Sequence, residues 1–165
     1  MRGIYEPYNF NRKIIGFDTF EGFSEIDEKD GNHDIVKQGS YSVTKNYEET
    51  LEEILNIHEN NSPINQIKKH QLIKGDATKT ISKYLKDEPQ TIIAFAYFDF
   101  DIYQPTKACL EKILPRLVKG SIIAFDELNC KSFPGETIAF NEVLGLNNYK
   151  LHRDRNNPYV SWIEF

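Results

Sequence analysis

The run Ala94-Phe95-Ala96-Tyr97-Phe98 is the most apolar in the chain, and it ends in Asp99-Phe100-Asp101. The next apolar run, Ser121-Ile122-Ile123-Ala124-Phe125, ends in Asp126-Glu127. Short runs rich in Ile and Phe predict buried strands. Strands that are buried need cover on both faces, which restricts the chain to layered folds of sheet and helix. In open α/β sheets, ligands bind just beyond the carboxyl ends of the strands. Two adjacent strands would therefore deliver carboxylates to one rim. Hard oxygen ligands gathered at one spot suit a divalent cation such as Mg2+. The same acids also fit two solvated loop starts, because Asp often opens a turn or caps a helix.

The surrounding pattern agrees with a layered fold. Residues 13–17 form a short apolar run ending at Asp18 and predict a strand. Residues 21–40 carry charge, Gly and Ser without a period, and predict a long surface loop, a candidate lid. Asp27-Glu28-Lys29-Asp30-Gly31 fails the EF-hand spacing. Asn46 followed by Glu49 resembles a capping box, and Tyr47, Leu51, Ile54 and Leu55 then recur at helical spacing over 47–59. A strand over 70–73 precedes Gly75-Asp76, and 80–86 is helical. A central strand covers 91–98, and Pro105 suits the first turn of the next helix. Pro115 should stop that helix, with Lys119-Gly120 making the turn out. A helix over 136–144 ends at Gly145. Residues 149–153 and 159–164 predict an antiparallel hairpin. Strand–helix alternation finished by a hairpin implies one mostly parallel sheet.

The length of 165 residues fits a single domain with a real core. A net charge of −5 disfavours a nucleic-acid partner. Cys109 and Cys130 form no CxxC pair, which argues against a disulfide framework and a zinc site and fits a cytoplasmic location. No opening segment reads as a signal peptide and no apolar run reaches membrane-spanning length, so no membrane partner is expected. His33, His58, His70 and His152 are scattered, His33 in the candidate lid. Lys68-Lys69 and Arg153-Asp154-Arg155 read as solvated surface, and Trp162 and Phe165 as cover for the sheet.

Five stretches carry a resemblance. They are Gly16-Phe17-Asp18-Thr19-Phe20-Glu21-Gly22, Gly75-Asp76-Ala77, Asp99-Phe100-Asp101-Ile102-Tyr103-Gln104-Pro105-Thr106, Leu114-Pro115-Arg116-Leu117 and Phe125-Asp126-Glu127. In this order they resemble class I S-adenosylmethionine (SAM)-dependent methyltransferases, and more narrowly the macrocin O-methyltransferase family. The resemblance implies a Rossmann-like α/β three-layer sandwich and metal-assisted methylation of a sugar hydroxyl in a polysaccharide or secondary-metabolite pathway. It implies SAM and Mg2+, or another divalent cation, as cofactors, and a sugar-containing small molecule or glycan as substrate. By that resemblance Asp18, with Thr19 and Phe20, matches the ribose position, and Asp76, with Gly75 and Ala77, the adenine position. Asp99 and Asp126 match metal ligands, and Glu127 stands where a second Asp or an Asn is usual. Asp101 serves as base or neighbouring partner in catalysis, or else caps the helix that contains Pro105.

The resemblance begins at the family's second strand. The first strand and its Gly-rich loop have no match before Lys13, so residues 1–165 read as one partial methyltransferase domain. Such a chain is expected to hold SAM weakly and, through an open sheet edge, to form a homo-oligomer. Three rival readings remain. The DxD motif also suits a metal-dependent nucleotide-sugar glycosyltransferase. It suits as well a phosphatase with Asp99 as nucleophile. A non-catalytic scaffold derived from the enzyme is the third.

Overall fold

Apolar runs become strands and amphipathic stretches become helices in the computed structural model, which describes residues 2–165. In chain order the elements are α1 (Arg2–Tyr5), β1 (Ile14–Asp18), α2 (Tyr47–Asn60), β2 (His70–Lys74) and α3 (Ala77–Asp87). They continue with β3 (Ile93–Phe98), α4 (Tyr103–Ile113), β4 (Leu117–Phe125), α5 (Pro134–Leu144), β5 (His152–Arg153) and β6 (Ser161–Glu164). The architecture is α/β, as the alternation predicts. None of the helices is long and apolar enough to cross a membrane among the described residues.

Local chemistry explains most boundaries. Pro105 lies in the first turn of α4, where its missing N–H costs no helical bond. Pro115 converts the end of α4 into a 3-10 turn, Leu114–Arg116. Gly145 ends α5 with a positive φ of 75°. Two expectations need correction. Asn46 makes no side-chain cap to α2, because it lies in the left-handed region at φ 61° and its side chain no longer reaches the helix amides. Lys119-Gly120 do not turn the chain but lie inside β4. There Gly120, at φ 87°, takes up an irregularity in the pairing with β3, and Ser121 Oγ stitches the gap by accepting Val118 N–H and donating to Ile93 O.

A single sheet was the expectation; two hydrogen-bonded sheets are found. β1 and β2 pair in parallel. The other sheet has the order β3-β4-β6-β5, parallel between β3 and β4 and antiparallel through the hairpin. Among the described residues no ladder joins β1 to β3, so one edge of each is unpaired. Register alternation gives the four-stranded sheet two different faces. Phe98, Ile123, Phe125 and Ile163 share one face and pack on Leu110, Ile113, Phe140 and Leu144. This is the main core. On the other face Phe95 and Tyr97 stack on each other at 6.4 Å and remain 59% and 46% exposed.

The 21–40 segment is anchored, not a loose flap. Phe23 and Val36 bury against Ile102 and Phe133 in a second cluster. Its 3-10 turn, Glu28–Asp30, carries the capping box that was expected at Asn46: Asp27 and Asp30 exchange backbone and side-chain bonds. Asp30 is fully enclosed, with Oδ1 accepting Tyr103 N–H at 2.6 Å. A side chain at Gly135 would strike that same oxygen, so the glycine permits the contact. Lys69, expected on the solvated surface, is instead 1% exposed and paired with Glu59. Its ammonium also donates to Ile64 O and Ile67 O, which is what makes burial tolerable.

Candidate active site

The ladder dictates where the acids meet. Phe98 pairs with Phe125, and the next amide, Asp126 N–H, bonds Phe98 O at 3.1 Å. Asp99 and Asp126 therefore leave the sheet side by side. Loss of water, then the Asp126 charge and hydrogen bond, then Glu127 and Asp18, hold the Asp99 carboxyl above the usual range. Asp18, at the carboxyl end of β1, adds the smallest share of that rise.

Asp101 is not the cap of α4. The residue before that helix is Ile102, which makes no side-chain cap, and the first amide is served by Asp30, 73 residues upstream. Asp101 instead sits at φ 60°, an uncommon conformation for a residue with a side chain. Burial, followed by the charges of Asp99, Glu127 and Asp126, pushes its carboxyl up to about 7.

Three neighbours lay outside the sequence reading. The Tyr97 hydroxyl bonds Asp126 Oδ1. Burial and that carboxylate raise the phenol. Glu136, in the first turn of α5, is fully buried and accepts Glu127 N–H at 2.9 Å. Burial, opposed by that amide and reinforced by Asp101, Asp126 and Glu127, pushes Glu136 up to about 8. Glu136 Oε2 and Glu127 Oε2 are buried without a hydrogen-bond partner. The third is Tyr41, which packs on Phe23 and Phe133. Only the outward alternation of Tyr97 with Phe95 was a usable signal; Glu136 reads in sequence as an ordinary first-turn acid.

These raised carboxyls carry a sign. Unfolded Asp and Glu ionise near pH 4, whereas Asp101 and Glu136 keep their protons to about 7 and about 8 in the fold. The folded state binds more protons between those limits. Stability therefore falls as pH rises from about 4 to 8, by roughly 2 kcal/mol once water access and relaxation temper the full displacement. Urea midpoints at pH 5 and pH 8 should show this decline, and Glu136→Gln should flatten it. A midpoint that holds level with pH would mean that these groups ionise freely, and one that rises would reverse the sign of the effect.

The residues matched to the cofactor are placed less uniformly. Asp18 Oδ1 accepts Phe20 N–H at 2.6 Å, leaving its second oxygen uncommitted. Phe20 is left-handed at φ 59°, and Thr19 Oγ1 donates to Gly22 O. Asp76 is the cap of α3: it accepts Thr78 N–H and Oγ1 and pairs with Lys79 at 3.1 Å. Gly75 turns the chain at φ 133°, and Ala77 is a buried core residue.

The crystal structure of CalS11, a calicheamicin methyltransferase, is 44% identical and covers 99% of this chain and 64% of its own, at a TM-score of 0.96. The apo structure of CalS11, described as a TDP-rhamnose 3'-O-methyltransferase of calicheamicin biosynthesis, is 41% identical over 99% and 63%, at 0.84. The chain has a methyltransferase fold. It spans a little under two thirds of the length of CalS11. The O-methyltransferase NovP, 18% identical over 93% of this chain and 60% of its own at a TM-score of 0.61, shares the fold alone. No protein-family model matches the chain, and no curated protein does.

Within this methyltransferase fold the donor chemistry suits a hard cation. The rim is all carboxylate, and Glu127 offers a buried oxygen without a partner. Among the described residues, however, no three His, Cys, Asp or Glu side chains converge as a ready metal cage. The expected triad of Asp99, Asp126 and Glu127 is thus a cluster, not a formed ligand sphere.

Proposed function

We propose that this chain carries the catalytic rim of a SAM-dependent O-methyltransferase acting on a sugar hydroxyl, of the macrocin type. The observation that supports this reading is the pair Asp99 and Asp126, which leave β3 and β4 side by side at one sheet edge, on a chain 44% identical to a calicheamicin methyltransferase. The substrate class is a nucleotide-linked deoxysugar, by analogy with the TDP-rhamnose named for CalS11.

When bound, SAM supplies an electrophilic methyl group on a sulfonium. A divalent cation held by Asp99 and Asp126, with Glu127 beside them, would lower the pKa of the acceptor hydroxyl. The residues of the chain do the rest. Asp18 offers one carboxylate oxygen to a ribose hydroxyl, while its other oxygen keeps the 18–22 turn in shape. Asp101, lifted to about 7, takes the hydroxyl proton on its carboxylate, a base matched to neutral pH. Tyr97 and Glu136 hold Asp126 and the Glu127 amide in place.

The test is methyl transfer from labelled SAM to TDP-rhamnose and related sugar nucleotides, with Mg2+ or with a chelator. Methylated sugar that depends on the cation is the expected product. SAM binding without transfer to any sugar would sink the acceptor assignment, and full activity in chelator would sink the metal. The unpaired edges of β1 and β3 also support self-association. Light scattering is expected to report a dimer or larger, and a monodisperse monomer would argue against it.

A further inference from the structure

Tyr41 belongs to none of the motifs above, yet it is an exposed aromatic seated on the buried cluster of Phe23, Ile102 and Phe133. Its ring is 56% exposed. It packs edge-on against Phe23 at 5.4 Å and tilts over Phe133 at 6.3 Å. Phe23 and Phe133 are themselves buried and contact each other at 6.4 Å. The exposed phenol thus rests on a fixed apolar base. Phe23 and Phe133 share their cluster with Ile102, the residue after Asp101, and this places Tyr41 over the same end of the sheet; partial burial and then the charges of Asp101, Glu127 and Cys130 raise its hydroxyl, in keeping with that position.

The backbone holds the ring there at some cost. Tyr41 sits at φ 61°, which a bulky side chain seldom adopts. The flanks are tied on both sides. Phe23 N–H bonds Ser40 O at 3.0 Å and Gly39 N–H bonds Phe23 O at 2.9 Å. Any side chain at Gly22 would meet Ser40 O at 2.2 Å, so this approach requires glycine. Asp30 pins the same loop to α4. Strain of this kind persists only where the surroundings over-determine it, and it gathers at binding sites. Phe20, Asp101 and Asn129 share the left-handed region and follow β1, β3 and β4 at the same rim.

We infer that Tyr41, backed by Phe23 and Phe133, is the platform on which the pyranose ring of the acceptor stacks beside Asp101. This rests on the sugar O-methyltransferase reading and adds the residue that selects the sugar. A phenol ring presents a flat apolar face to the C–H bonds of a deoxysugar, and its hydroxyl bonds the ring's polar edge. A rigid Tyr loses little conformational entropy on doing so. A deoxysugar, with more C–H surface than a fully hydroxylated hexose, is the class that such a face favours.

The experiment uses the full chain with Tyr41→Ala and Tyr41→Phe. Tyr41→Ala is expected to raise KM for TDP-rhamnose about 10-fold, with kcat within about 2-fold and SAM affinity unchanged, while Tyr41→Phe keeps most of the sugar affinity. An unchanged KM in the alanine variant overturns the platform and leaves the methyltransferase reading standing. A second measurement covers a variant that does not fold. In wild-type protein labelled at tyrosine rings, the Tyr41 resonance should shift on adding TDP-rhamnose but not on adding TDP alone. Equal shifts with both, or none with either, overturn the sugar assignment. A sugar-dependent shift without any turnover keeps the platform and sinks methyl transfer.

Discussion

Asn at position 126 is expected to cut methyl transfer about 100-fold or more while leaving SAM affinity within about 3-fold of wild type. The split follows from position. Asp126 stands beside Asp99 and accepts the Tyr97 hydroxyl, whereas the residues matched to the cofactor follow β1 and β2. An Asn side chain keeps the shape and can still accept from Tyr97, so the fold should survive. What weakens is the hold on a divalent cation that would lower the pKa of the acceptor hydroxyl, an effect largest as that oxygen becomes an anion. Single-turnover transfer and calorimetry with SAM are the paired measurements. Equal losses in binding and turnover would assign Asp126 to the cofactor, and retained turnover would remove it from the chemistry.

The largest expected effect on stability lies away from the rim. Lys69→Ala should destabilise the fold by about 3–5 kcal/mol, because the Glu59 carboxylate is then left buried without its cation. Ile67 O loses its side-chain donor, and Ile64 O keeps only Ile67 N–H. Lys69 O accepts Ile14 N–H at 2.9 Å, so the damage reaches the start of β1. For a chain of this length the melting temperature should fall on the order of 10 °C. Pairing Lys69→Met with Glu59→Gln should recover part of the loss, since Gln removes the buried charge and still accepts Lys69 N–H. A change below about 1 kcal/mol in Lys69→Ala would show that water reaches the pair.

Reading Lys69 as surface was reasonable from its neighbour: Lys68 is indeed exposed and pairs with Glu52. Burial of the next residue depends on Glu59, ten positions upstream at the end of α2, and no local pattern encodes that meeting. Asp30 is similar. In sequence it belongs to a failed calcium loop, but in space it is the cap of α4. Of the two roles open to Asp101, that of helix cap falls for the same reason, because a distant carboxylate already serves the amide.

Strand and helix identity, the parallel pairing of β3 with β4, the closing hairpin and the acids beyond the strand ends were legible in the sequence. Each rests on short-range periodicity or on Pro and Gly at fixed offsets, and such chemistry acts within a few residues. The division into two sheets, the buried Glu136 beneath Glu127 and the seat of Tyr41 on Phe23 and Phe133 were decided only by the tertiary structure. They depend on long-range packing, in which side chains far apart in sequence exclude water together. Exclusion of water is what lifts Asp101 to about 7 and Glu136 to about 8, and it is a property of the folded surroundings, absent from either residue alone.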